Sequence, residues 1–344
     1  MSQDILSDVL RSIRLRAAVF YYMSYGRDWA AEAPPAREIA AAVMPGADHV
    51  MEFHVVTKGD GWGAIVGQQP VRLAEGDILM FPQGDAHVMS SAPGLRPRRF
   101  EPDWVYAHRD DPRPIPVNYL GTLDDPVTLD APAPGAQTNV VCGFLGCDLR
   151  PYNPLVATLP RLLHLPAGDD SAWIAATLAQ AVNASYHKRP GSDVVLERIS
   201  ETMFVHAVSR YLDGLDDGAS GWLAGLRDRH VGRALALLHQ APARDWTLEM
   251  LGKDVGLSRS ALHERFTQMI GTPPMQYLMQ WRMQLAARLL RESRASVASI
   301  ALDVGYDSEA AFSRAFKRLV GAPPATWRRL VTERPPAAAS AGGR

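Results

Sequence analysis

The rhythm of apolar and polar positions changes several times along the chain. Near the amino terminus Ile5, Leu6, Val9, Leu10 and Ile13 share one face at helical spacing, which predicts a short helix. From about residue 40 to 150 short apolar runs such as MEFHVVTKG, WGAIVG and PVRLAEGDILMFPQGD are cut by Gly, Pro and Asp. Nine prolines between Pro93 and Pro134 exclude long helices there, so the front half reads as a small β-barrel or sandwich. After Pro166 the spacing turns helical: DDSAWIAATLAQAVNASYHKR and SDVVLERISETMFVHAVSRYL each carry apolar residues at helical intervals, with Asp or Ser ahead as a cap. DGLDDGASG, from Asp213 to Gly221, is polar and Gly-rich and reads as a linker. Trp222 to Leu330 reads as helix throughout, and ERPPAAASAGGR as a disordered tail. The expected division is a β domain over 1–166, a helical connector over 167–221, an all-α domain over 222–331 and a tail over 332–344. A length of 344 residues is about twice that of one average domain and agrees.

Inside the helical region the sequence repeats. DVGLSRSALHERFTQMIGTPPMQY, from Asp254, returns as DVGYDSEAAFSRAFKRLVGAPPATW, from Asp303. In each copy a helix should end at Gly256 or Gly305, where glycine tolerates a left-handed cap. Ser258 or Ser308 should cap a second helix, which ends at Gly271 or Gly321 before a Pro-Pro pair. Each copy is therefore a helix-turn-helix. Between them Leu278, Trp281, Leu285 and Leu289 form one apolar stripe, which predicts a rigid connecting helix over about 274–291. Such a helix could set the two recognition helices about one duplex turn apart.

Charge sharpens this picture. The formal net charge is -1, but residues 1–225 hold 18 Lys/Arg against 27 Asp/Glu and residues 226–344 hold 18 against 10. Only the back is basic, as expected where one part of a chain meets a polyanion. No stretch is long and apolar enough for a membrane span, so no membrane partner is expected. Two cysteines, Cys142 and Cys147, do not make a disulfide scaffold. Charged residues interrupt the amino-terminal segment, which does not read as a secretory signal. A cytoplasmic location is expected.

The double repeat, over about 226–331, resembles the DNA-binding domain of AraC/XylS-family transcription regulators. LGKDVGLSRSALHERFTQMIGTPPMQYL resembles the family's first helix-turn-helix and IALDVGYDSEAAFSRAFKRLVGAPPATWR its second. The resemblance implies sequence-specific binding of double-stranded DNA. Carried over by position, Ser260, His263, Glu264 and Thr267 would face base edges from the first recognition helix, and Glu309, Ala310, Ser313 and Arg314 from the second. Arg314 could take guanine O6 and N7 through two hydrogen bonds, or could sit on phosphate. Arg259, Arg265, Lys317, Arg318, Arg328 and Arg329 read as phosphate contacts or solvated surface, with Ser308 at the start of the second recognition helix. Leu262, Phe266, Phe312 and Phe316 have the spacing of core. Glu264 and Glu309 could accept from cytosine N4 but would repel phosphate.

In the front half GDILMFPQGDAH fits the second motif of cupin barrels through Gly76, Pro82, Gly84 and His87, with Ser91 in place of the usual Asn. Glu52 and His54 match part of the first motif, whose later positions are taken by Lys58 and Gly59. Strand alternation would put Glu52 and His54 on one face, with His87 on a neighbouring strand. The three could hold a divalent metal, or form a satisfied polar cluster or an organic-ligand contact. No cofactor beyond that metal is expected. Phe53 and Trp62 could line an effector pocket or be plain core. Cys142 is either a buried structural thiol or a thiolate activated by the imidazoles; at five residues apart it and Cys147 should face opposite ways. The resemblance implies a cupin-type sensor that binds a small-molecule effector without turning it over.

The fold class expected is thus multidomain α and β: a cupin-like β-barrel, a helical connector and an all-α domain with two helix-turn-helix motifs. A helix over about 193–212 carries Val195, Ile199, Met203, Val205 and Val208, for either dimerisation or packing on its own barrel. A homodimer would grip paired sites, and RNA polymerase would be a partner if the protein activates. The alternatives are a metal-dependent cupin enzyme fused to a DNA-binding domain and an architectural DNA binder without sequence preference.

Overall fold

The computed structural model describes residues 4–111, 113–119, 136–168, 172–187, 189–216 and 218–332. The caps expected at Asp169, Asp170 and Ser171, and the tail from residue 333, lie outside them. Contacts divide the chain into two compact units. One comprises Leu15–Cys147 and Leu159–Tyr211; the other comprises Met1–Arg14, Asp148–Thr158 and Leu212–Pro336. Sequence order alone had placed the amino-terminal segment and 148–158 with the β domain. Both pack instead with the helical unit: α1 (Ile5–Ser12) buries Ile5 and Val9, and the segment after it buries Ile13.

The first unit is built on strands β1 (Leu15–Tyr25) and β2 (Ala30–Ala33), helix α2 (Ala36–Val43), and strands β3 (His49–Lys58), β4 (Gly61–Ile65), β5 (Val71–Leu73), β6 (Ile78–Phe81), β7 (His87–Ser90) and β8 (Arg98–Arg99). Helix α3 (Pro102–Ala107), strands β9 (Ile115–Tyr119), β10 (Thr138–Cys147) and β11 (Leu163–Leu165), and helices α4 (Ala172–Tyr186) and α5 (Ser192–Asp213) complete it. One sheet has the order β11-β6-β3-β10-β1-β9 and the other β5-β4-β7-β2-β8. Their inner faces share one core, with Met23, Val56, Phe81, Val117 and Val140 from the first sheet and Ala31, Ile65, Leu73 and Met89 from the second. This is the barrel or sandwich that the broken apolar runs require.

Two local devices aim side chains into that core. A bulge in β1 between Val19 and Tyr21 interrupts the pairing with β10, after which Tyr21, Met23 and Tyr25 alternate inward. Phe20 joins the separate cluster that seats α2. In β3 the period-two pleat sends Glu52, His54 and Val56 to one face and Phe53 to the other, where the facing residue on β10 is Gly143. A Cβ at Gly143 would come within 2.3 Å of the Phe53 ring and 2.6 Å of the Ala18 carbonyl oxygen, so only glycine fits.

The helix α5 carries two apolar faces. Leu196, Met203, Phe204, Ala207 and Val208 are buried, whereas Val195 and Val205 are exposed and Ile199 is half-buried. The stripe read from sequence mixed members of both.

The second unit is helical: α1 joins α6 (Trp222–Arg227), α7 (Arg229–Gln240), α8 (Leu248–Val255), α9 (Arg259–Ile270), α10 (Pro274–Glu292), α11 (Val297–Asp303), α12 (Glu309–Val320) and α13 (Pro324–Thr332). Gly256, Gly271 and Gly321 are left-handed C-caps, and Ser258 and Ser308 each accept the N–H of the third residue on, at 3.2 Å. The stripe on α10 departs from the expected one. Leu278 and Trp281 are buried, but the face then turns to Met283, Ala286, Ala287 and Leu290, leaving Leu285 and Leu289 half-buried. The turn has a cause: the carboxyl-terminal half of α10 belongs to a second core, with Ile300, Phe312 and Phe316.

Gly143→Ala must displace an aromatic ring and a backbone carbonyl together, so it should destabilise the β unit by about 1–3 kcal/mol. An unchanged thermal midpoint would show that the Phe53–Gly143 packing is not a constraint.

Candidate nucleic-acid interface and ligand chamber

The two recognition helices, α9 and α12, are built alike. Each buries two large side chains one turn apart, Leu262 and Phe266 or Phe312 and Phe316, and turns the opposite side outward. Arg259, Ser260, His263 and Glu264 are exposed on α9, and Glu309, Ala310, Arg314 and Lys317 on α12, with Ser313 half-buried beside Arg314. Arg314 and Arg259 make no ion pair or hydrogen bond among the described residues. Ser308 spends its hydroxyl on the helix cap.

Three positions depart from the sequence reading. Thr267 sits on the inner flank of α9 with its hydroxyl buried, so it offers nothing to a base edge. Arg265 is tied to Asp228, with two contacts at 3.2 Å. Arg328 donates to the carbonyls of Leu290 and Ala295 at 3.2 and 2.6 Å. Both guanidiniums are thus engaged within the bundle, where the sequence reading had phosphate contacts or solvated surface. Asp228 also caps α7, accepting the N–H groups of His230 and Val231 at 3.0 and 2.8 Å. A single carboxylate thus fixes a helix start to the recognition helix. The Arg265 guanidinium holds its pKa at about 2, below the ordinary 3.8.

In the β unit the inner faces, α2 and α3 line a chamber of about 70 Å³ that opens in part to solvent. Glu52, His54, His87 and Cys142 meet on its lining. The Asp85 carbonyl can only accept, so His87 Nδ1 donates to it at 2.9 Å and His87 Nε2 is left as an acceptor. His54 Nε2 must then donate to His87 Nε2, at 2.6 Å, which makes His54 Nδ1 the acceptor for the Cys142 thiol at 2.9 Å. This proton order needs every member neutral, and burial drives each that way. It lowers His87 to about 4 and His54 well below its usual range, and it raises Glu52 and the Cys142 thiol. The activated thiolate considered from sequence is therefore reversed: desolvation outweighs the imidazoles, and Cys142 stays protonated. Cys147, five residues on, is buried and not in a disulfide.

The Glu52 carboxyl is unspent. Glu52 Oε2 stands 3.8 Å from His87 Nε2, while Glu52 Oε1 is buried without a hydrogen-bond partner. The donor set also fits a metal in kind, since one ligand atom each from Glu52, His54 and His87 lies within 4.8 Å of the others. Phe53 and Trp62 do not line the chamber. Phe53 points to the other face of β3, and Trp62 is half-buried on β4. The lining residues that sequence reasoning missed, Tyr21, Met23 and Tyr25, had a readable signal in their alternation; Trp104 and Val117, among prolines, had none.

Comparison with known proteins decides the family. A cupin family model matches residues 4–213 and a helix-turn-helix domain model residues 251–330. An AraC-like transcription regulator of Streptomyces lividans is 33% identical over 334 residues, covering 96% of this chain and 99% of that one.

The chain belongs to the AraC family of transcription regulators.

A second member, the HTH-type transcriptional regulator AlkR of Acinetobacter baylyi, is 26% identical over 92% of this chain and 95% of its own. Among solved structures, the DNA-binding domain of AdpA in complex with a target DNA is similar over 32% of this chain and 99% of that one, at 29% identity and a TM-score of 0.31. Among the described residues of this AraC-family protein no helix is long and apolar enough to cross a membrane.

The tie between Asp228 and Arg265 predicts a pH dependence. A depressed carboxylate stabilises the fold above its unfolded value of 3.8 and loses that contribution as pH falls through about 2. With the guanidinium half in solvent, Arg265→Ala should cost about 1 kcal/mol at neutral pH and only a small part of that at about pH 2. A cost that is the same at both pH values, read from denaturant midpoints, would contradict the pairing.

Proposed function

We propose that this AraC-family protein reads a specific operator through α9 and α12 and that a small molecule in the β-unit chamber controls that reading. The observation that carries the regulatory part is the chamber itself, with a buried oxygen of the Glu52 carboxyl left without a partner on its lining. A solvent-excluded polar atom without a partner is costly, and a ligand would satisfy it. Direct reading of bases is supported by the exposed, uncommitted Arg314 on α12, flanked by Ala310 and Ser313, which are small enough to let the helix approach base edges. Arg259 and Lys317, at the ends of the recognition helices, would take phosphates and set register.

The exposed Val194 and Val205, eleven residues apart, share one side of α5, with the exposed Val195 a residue from the first of them. This face supports homodimerisation through a second copy of α5, while the buried face of the same helix packs its own unit. A dimer would address paired half-sites. The protein acts in the cytoplasm as a regulator and not as an enzyme, with RNA polymerase as its partner where it activates.

A second reading is favoured by one observation, the convergence of Glu52, His54 and His87. Those side chains would hold a divalent transition metal, which would sense or structure the barrel. The organic-ligand reading expects metal analysis of the purified protein to give no stoichiometric ion. One ion per chain, released by His87→Ala, would decide for the metal.

On duplexes selected from random sequence, Arg314→Ala should weaken binding by about 1–3 kcal/mol and relax base choice at one position per half-site. Arg259→Ala should weaken all sequences alike and reduce the salt slope by about 1. Unaltered base preference in the Arg314 variant would refute its assignment.

A further inference from the structure

We infer that the chamber takes a neutral, mostly apolar organic molecule with a single hydroxyl head group, an aliphatic alcohol or a phenol, whose hydroxyl pairs with the Glu52 carboxyl at Oε1. The inference rests on the regulatory reading above and adds the chemical class of the effector.

The lining argues first. Met23, Ile39, Met89, Phe100 and Val117 present hydrocarbon, ring and thioether surface to the space. Such a wall suits an apolar body, and its methionines adapt to irregular shapes. A sugar or other polyol would bury more hydroxyls than the few polar groups on this wall can pair.

Charge argues second. No lysine or arginine is among the residues lining the chamber. A carboxylate or phosphate would lie in a low-dielectric space without a counter-charge, and beside the Glu52 carboxyl.

The hydrogen-bond count argues third. His54 spends both ring nitrogens on Cys142 and His87, and His87 spends its own on His54 and the Asp85 carbonyl. Glu52 Oε1 is left without a partner on a side chain only 4% exposed. A carboxyl both accepts and, when neutral, donates, and a single hydroxyl on an apolar body can meet it in either sense.

The test is equilibrium binding to the full-length chain, followed by tryptophan fluorescence, since Trp104 lines the chamber, and by thermal shift. Octan-1-ol should bind one to one and at least tenfold more tightly than octanoate, and glucitol should not bind. Glu52→Met, which keeps the volume and removes the carboxyl, should weaken octan-1-ol at least fivefold and leave n-octane unchanged. Ala33→Phe, which fills the space, should abolish both. If Glu52→Met does not fold, the ranking of the three probes on the wild-type chain decides alone. Tighter binding of octanoate or glucitol, no binding of octan-1-ol, or one divalent ion per chain held through Glu52 would each overturn the inference. Failure of the regulatory reading looks different: octan-1-ol would bind with the expected ranking yet leave affinity for a selected duplex unchanged. A DNA response to octanoate or glucitol would keep the regulatory reading and remove the ligand class.

Discussion

α10 is buried in two places at once, and the geometry of the DNA-reading face depends on it. Its first half places Tyr277 against Phe266 of the first recognition helix, with centroids 5.7 Å apart, and stacks Trp281 on His239 at 4.0 Å. The Tyr277 hydroxyl accepts from the Trp222 indole and donates to His239, at 2.9 and 2.8 Å, which satisfies a polar group in a fully buried position. Its second half inserts Met283, Ala286, Ala287 and Leu290 into the core that carries Phe312 and Phe316 of the second recognition helix. Arg282, midway, donates to the carbonyls of Pro242, Arg244 and Gly305. A helix of 19 residues, about 28 Å long, held by packing at both ends and by a guanidinium in the middle, has little freedom to bend. The spacing of α9 and α12 is then a property of the fold and not of the DNA.

The same helix holds chain segments that lead to and from the β unit. Gln284, buried, donates to the Ser12 carbonyl at 2.8 Å and accepts from the Tyr152 N–H at 3.1 Å, and Arg291 pairs with Asp148 at 3.1 Å. Ser12 closes α1 just before β1, and Asp148 follows directly on β10. β1 and β10 are paired neighbours, and both contribute lining to the chamber, Tyr21 and Met23 from one and Cys142 from the other. Within the helical unit, α10 thus holds the residue that ends α1 before β1 and the residue that follows β10.

Much of this was legible in the sequence because the signals are local. Glycine caps, serine caps and Pro-Pro pairs set the ends of α9 and α12 within a residue, and the Asp-Val-Gly repeat showed that there are two copies. Glu52, His54 and His87 could be brought together on paper because pleating has a period of two and their strands were recognisable. What escaped was decided by long-range contact. Nothing local distinguishes Arg265, tied to Asp228 from 37 residues away, from Arg259, which reaches solvent. Thr267 shares the helical phase of a reading position but is turned inward by the neighbouring bundle. Phe53 is the exception, since it lies between Glu52 and His54 and the same period-two pleat already puts it on the opposite face. The direction of the Cys142 shift depended on burial, which no spacing reveals.

If α10 fixes the distance between α9 and α12, each chain must touch DNA in two successive major grooves on one face. Base-resolved interference footprinting on a duplex selected from random sequence measures this directly. The account predicts two clusters of protected bases per chain, centred about 10–11 base pairs apart. A single cluster, or two whose separation varies from one selected site to another, would contradict it.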